Sequence, residues 1–175
     1  MKIVSSYSVK IEHYNGIFTD TLKIYREAVD FFIGVCLAEW DTLSTISGNL
    51  AQQRYIEIHA HSTRNNSSPK YSFDYHFYKF PSYLRRSAIS AAIGKVFSYK
   101  SNLANYEAGT DKRKPSVPKA GYVFPAMYRD NCFIRTNTYT ARVKVFIRNT
   151  WDWLDVELKK RDVDYINRRC KSCKE

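Results

Sequence analysis

The sequence predicts an α+β fold, a small antiparallel β-barrel or sheet interrupted by a helical insertion, and three observations predict it. Residues 3–11, IVSSYSVKI, are β-branched and rich in short polar residues, the composition of a strand. From Thr19 the apolar residues recur every three or four positions, the period of a helix. After Gly121 the period becomes two. Strand, helices and strands again allow the first strand to join the last ones, with the helices forming a second lobe. The expected segments are residues 1–17 for the first strand, 18–108 for the helical lobe, 109–120 for a basic linker, 121–167 for the returning strands and 168–175 for a basic tail.

In chain order, Asn15-Gly16 marks the first turn. Thr19 or Asp20 caps a helix whose broad apolar face is Ile24, Ala28, Phe31, Phe32, Val35, Leu37 and Trp40. Ser47-Gly48 ends it, a shorter helix runs from Leu50 to His61, and RNNSSPK at 64–70 is a loop. Pro81 opens the longest helix, to Glu107, at an early position where its missing donor costs nothing. Leu84, Ala88, Ala91, Ala92, Val96, Tyr99 and Leu103 form its core stripe. Ser87, Ser90, Gly94, Ser98 and Ser101 form a second stripe, small enough for another helix or a phosphate backbone to lie close. GTDKRKPSVPKAG at 109–121 is a polar, basic loop with two prolines.

Cys132 to Arg135 reads as a short strand, and residues 140–158, TARVKVFIRNTWDWLDVEL, as a hairpin with Asn149-Thr150 as its loop. In that register Val145 meets Leu154 and Val143 meets Val156 on the core side. Lys144 meets Asp155, Arg142 meets Glu157 and Phe146 meets Trp153 on the other, pairs worth about 0.2–1 kcal/mol each. Arg148 would sit opposite Trp151 with its charge free.

Charge divides the chain. Of 175 residues, 28 are Lys or Arg and 17 Asp or Glu, and residues 1–60 carry a net −2 while 61–175 carry +13. From Lys79 to Lys119 there are 9 basic and 2 acidic residues. Such a block is the footprint of a polyanion partner, and the 14 tyrosines suit wet binding faces as well as cores. We expect the positive excess to gather in one groove sized for a polyphosphate chain. Four cysteines, no signal peptide and no apolar run of membrane length lead to the expectation of a reducing, cytoplasmic setting with free thiols and no membrane.

Catalytic motifs are missing from the sequence. It holds no GxxxxGK[ST], no GxGxxG after a strand and no GxSxG, and six glycines leave little for phosphate-cradling loops. Cys170 and Cys173 make half of a zinc site at most. His59 and His61 are two residues apart and diverge on a helix. His76 among Tyr75, Phe77 and Tyr78 reads as part of an aromatic core cluster. Metal-assisted cleavage needs converging carboxylates, and none assemble.

KFPSYLRRSAISAAIGKVFSYKSNLANYE, followed by AGYVFPAMYRDNCFIRTNTYTARVKVFIRNTWDWLDVEL, resembles the N-terminal half of TnpB-like proteins, the OrfB proteins of insertion sequences related to type V CRISPR effectors. The resemblance covers most of the chain, is strongest from 79 to 167, and rests on diffuse patterns rather than a catalytic signature. It implies a wedge-type β-barrel interrupted by a recognition lobe, and an RNA-guided, transposon-associated setting with guide RNA and target DNA as partners. The family's RuvC-like nuclease carboxylates and zinc ribbon lie C-terminal to the part resembled. The resemblance therefore implies recognition without catalytic residues or cofactor in this chain. It gives Arg85, Arg86, Lys95 and Lys100 the role of phosphate contacts, the stems of Arg85 and Lys95 lying along the apolar edge. Lys112, Arg113, Lys114, Tyr128, Arg129, Arg148 and Trp151 complete the expected nucleic-acid-binding set. Two other readings stand beside this one. One is a DNA-binding regulator independent of RNA. The other is an interaction subunit whose apolar face at 22–43 docks a separate nuclease chain or a second copy.

Overall fold

The structure, a computed structural model, describes residues 7–13 and 16–169. The expected strand residues 3–6, Asn15 of the first turn, and Cys170 and Cys173 lie outside the described residues. The fold is α+β, with six helices and one three-stranded antiparallel sheet among the described residues. Its contacts divide into two compact units, Leu22–Ala126 and the pair of segments Met1–Thr21 and Met127–Glu175. Among the described residues no helix is long and apolar enough to cross a membrane.

The unit Leu22–Ala126 is helical. Helix α1 (Phe18–Ala38) enters it and buries Tyr25, Ala28, Val29, Phe32, Ile33, Val35 and Cys36, the three-to-four spacing of a core face. Desolvation pushes the buried Cys36 thiol up to about 12, which makes it a packing group rather than a nucleophile. α1 stops well before Ser47-Gly48. Glu39 leaves helical geometry (φ −97°, ψ 12°), and a short α2 (Trp40–Leu43) restarts behind it. Gly48, at φ 91°, opens α3 (Asn49–Ala60), its carbonyl accepting the amides of Ala51 and Gln52. After the loop come α4 (Phe73–His76) and α5 (Ser82–Glu107), with Pro81 just outside α5 at its cap position. α5 ends where Gly109 (φ 75°) lets the Thr110 amide reach the Asn105 carbonyl and its own amide reach Tyr106, a Schellman closure.

Phe73 anchors the core, stacked on Phe32 and Phe77 at 4.7 Å each, with Phe31 and Phe80 edge-on at 5.5 Å. His76 joins this cluster, its ring 5.9 Å from Phe31, while Tyr75 and Tyr78 face solvent. α3 meets α5 along a polar seam: Gln53 donates to the Arg86 carbonyl and to Ser90 Oγ, and Glu57 receives Arg85.

Glu39 is a buried carboxylate of this unit held by three donors from elsewhere in the chain. Lys70 Nζ (2.6 Å), Tyr71 OH (2.5 Å) and Tyr55 OH (2.8 Å) all donate to it. The Lys70 bond first, then the two phenols, hold its carboxyl down to about 2 against the opposing effect of burial. A depressed carboxylate pKa stabilises the fold fully above the ordinary value of 4.5 and loses that stability as pH falls toward about 2. Because Lys70 is exposed, the loss is discounted to on the order of 2 kcal/mol. Glu39→Gln is expected to flatten the acid limb of a plot of melting temperature against pH between about 5 and 2. An unchanged limb would show that Glu39 does not carry it.

The second unit holds the sheet, β1 (Phe133–Arg135), β2 (Thr140–Ile147) and β3 (Thr150–Glu157), in the order β1-β2-β3. With β1 and β3 as its two edges, it is among the described residues an open sheet and not a barrel. Among the described residues before α1, Val9, Ile11 and Ile17 pack on its core, the Glu12 amide donates to the Glu157 carbonyl and the Lys159 amide to the Lys10 carbonyl. Ile11 bridges Leu158 antiparallel, and Tyr7–Lys10 carry no strand pairing of their own. Ala141, Val143, Val145, Val156, Leu158 and Val163 form the core, the last from α6 (Lys160–Arg169). The first turn of α1 belongs here too, since the buried Thr21 accepts the Phe146 amide at 2.8 Å.

The hairpin register differs from the expected one. Its loop is Arg148-Asn149, both left-handed at φ 50° and 60°, as a type I′ turn requires. Val143 therefore meets Leu154, Arg142 meets Asp155, Lys144 meets Trp153 and Phe146 meets Trp151. A slip of two residues leaves every side chain on its expected face, so the division into core and charged sides survives with new partners. Arg142 Nε lies 3.3 Å from Asp155 Oδ1, within ion-pair range but without hydrogen-bond alignment. Arg148 does not face Trp151; it is an exposed turn residue. Arg148→Asn with Asn149→Gly relieves the left-handed strain and is expected to raise stability by about 0.5–1 kcal/mol, read from the denaturant midpoint. If Arg148 were a strand residue, the same change would destabilise.

Candidate nucleic-acid interface

Beyond its seam with α3, α5 carries small and short polar side chains: Ser90, Ala91, Gly94 and Ser98, flanked by Lys95 and Asn102. Opposite them runs residues 111–119, DKRKPSVPK, where Pro115 and Pro118 forbid helix and remove donors. Between helix and segment lies a groove of about 1010 Å³. A Cβ at Gly94 would meet nothing within 4 Å, so the groove floor is open there.

Three bonds from residues 120–126 hold the segment in place. The Ala120 amide donates to Asp30 Oδ1 (2.6 Å), Arg26 Nε donates to the Val123 carbonyl (3.2 Å), and the Ala126 amide donates to Ser87 Oγ (3.1 Å). Gly121, at φ 58°, makes the bend between the first two ties. A stretch without regular structure is thus fixed on α1 and α5 by side chains of those helices.

Lys95, Lys112, Arg113, Lys114 and Lys119 line this groove, with Asp111 the one acidic lining residue. None of the five cations forms an ion pair among the described residues. Five unneutralised positive charges around one concave surface set up a field that concentrates anions, above all anions carrying several charges on one chain.

The structure sorts the expected contacts. Lys95, Lys112, Arg113 and Lys114 come together in the groove. Arg85 does not reach solvent: it is 6% exposed, its Nη2 and Nε lying 2.9 and 3.1 Å from Glu57 Oε1. It is an interior ion pair between α3 and α5, and its expected phosphate role is withdrawn. Arg86 shares Glu57 at 3.4 Å and lies 5.6 Å from the Tyr83 ring, and Lys100 sits 5.3 Å over Trp40. Tyr128, Arg129, Arg148 and Trp151 belong to the sheet unit. Arg129 is 3.9 Å from Asp130, and Trp151 packs on Phe146 at 5.3 Å. The serine stripe divides as well. Ser87 is buried against Tyr25 OH at 2.8 Å, whereas Ser90, which also receives Gln53, lines the groove with Gly94 and Ser98.

Sequence reasoning missed Lys119, and it missed Tyr122 and Phe124, 89% and 67% exposed, whose rings bracket the Arg26 guanidinium. The signal in the sequence was the alternation in Tyr122-Val123-Phe124 between Gly121 and Pro125. Among the described residues no group of His, Cys, Asp and Glu side chains is placed to hold a metal ion.

These features define an α+β protein with a basic groove built by one long helix and a pinned irregular segment. The chain belongs to the Aq_aa04 family, whose profile matches residues 5–147. That span takes in the whole helical unit and ends with β2. No curated protein and no solved structure matches the chain.

Proposed function

We propose that the chain is a nucleic-acid-binding module whose groove between α5 and residues 111–119 takes a phosphate backbone. The observation that carries this reading is the set of five unpaired cations on one groove wall and rim, with a single acid among them. Phosphate contacts of this kind position a nucleic acid without reading its sequence. The resemblance to the N-terminal half of TnpB-like proteins supports a more specific setting, in which a guide RNA is the bound strand and target DNA is engaged through it, cleavage being supplied by another polypeptide or domain.

The test is the RNA requirement. Protein purified natively is expected to carry a defined RNA, and nuclease removal of that RNA to abolish DNA binding at physiological salt. DNA binding undiminished after RNA removal would replace the guided reading with a regulator that binds DNA directly. Binding of neither nucleic acid would overturn the groove's assignment.

A further inference from the structure

We infer that the groove receives a single strand, with unpaired bases stacking on Tyr122 and Phe124, an inference that rests on the polyphosphate reading above. Singly exposed rings are common on protein surfaces, but two neighbouring rings fixed beside a cationic groove offer stacking surface for bases. These two are held. The backbone on either side is tied to Asp30 and Ser87, and the residue between them is tied to Arg26. The Arg26 guanidinium lies 5.8 Å from the Tyr122 ring and 5.6 Å from the Phe124 ring, so one cation sets both.

Val123, between the rings, lines the cationic groove, while its two neighbours do not. The segment therefore carries a lysine-lined groove and exposed ring surface next to one another along the chain. A duplex has its bases stacked and paired internally, so it can use the charges but not the rings. A single strand can use both, its phosphates following the cations and its bases lying on the rings, the combination by which sequence-tolerant single-strand binders work.

The experiment compares single-stranded DNA, single-stranded RNA and duplex probes of about 12 nucleotides by fluorescence anisotropy at fixed salt. At least one single strand is expected to bind more tightly than the duplex. Tyr122→Leu with Phe124→Leu keeps apolar bulk but removes the rings, and is expected to weaken that strand about tenfold or more while leaving the duplex unchanged. Tyr122→Phe keeps a ring and is expected to retain binding, and thermal melting checks that all variants fold. Duplex binding as tight as either strand, with ring variants indistinguishable from wild type, would overturn this inference alone. No binding of any probe would overturn it together with the groove reading.

Discussion

Lys112, Arg113, Lys114 and Lys119, replaced together by alanine, are expected to leave the protein folded and to remove most of its affinity for nucleic acid. All four are exposed and unpaired among the described residues, and such substitutions usually cost within about 0.5 kcal/mol each. Each cation that neutralises a phosphate releases counterions, so the plot of log affinity against log salt is expected to become shallower by about 3 for a single strand. At physiological salt the affinity is expected to fall tenfold or more. A quadruple variant with wild-type slope and affinity would exclude residues 112–119 from the contact. The loss is spread over all sequences, because the groove wall carries charge rather than base-reading geometry.

Arg85→Ala is expected to have the opposite profile, a large stability loss of about 3 kcal/mol, with any binding defect following from unfolding. The guanidinium is almost fully buried and makes two bonds to one oxygen of Glu57, whose own side chain is 16% exposed. Removing the arginine strands Glu57 between α3 and α5 with Arg86 as its remaining partner at 3.4 Å. For a protein of this size the loss lowers the melting temperature by roughly 6–12 °C. Removing both members, Arg85→Met with Glu57→Leu, should restore much of the stability, because an apolar pair avoids desolvating two charges. Arg85→Lys does not rescue, since a point charge cannot reproduce two bonds made from one fork. An Arg85→Ala protein that melts normally but fails to bind would return Arg85 to the interface.

The two profiles show where sequence reasoning reaches and where it stops. The extent of α5 was legible because its apolar spacing and the Pro81 start are local features, although Ala91 and Tyr99 of the expected core stripe line the groove and Ile89 and Ile93 are buried instead; the two hairpin faces were legible too, since they depend only on a period of two. The hairpin register was not legible. It depends on whether Arg148 and Asn149 take positive φ, and an Arg at such a position gives no warning. The break at Glu39 was hidden for a related reason: two of the three donors that hold its carboxylate, Lys70 and Tyr71, lie about 30 residues away. Arg85 was misread because its partner Glu57 sits on a different helix. Four cations of the groove were named from the sequence, but the encounter of residues 111–119 with the small face of α5 rests on Asp30, Arg26 and Ser87 each tying a distant backbone atom. Those long-range bonds leave no periodic trace in the sequence.

The most direct test of the account is to photocrosslink a bound single strand to the folded protein and locate the adducts by peptide mass spectrometry. The account predicts adducts on residues 111–124 and on the α5 face around Lys95 and Tyr99. Adducts confined to other surfaces, with that groove unlabelled while binding is saturated, would contradict it.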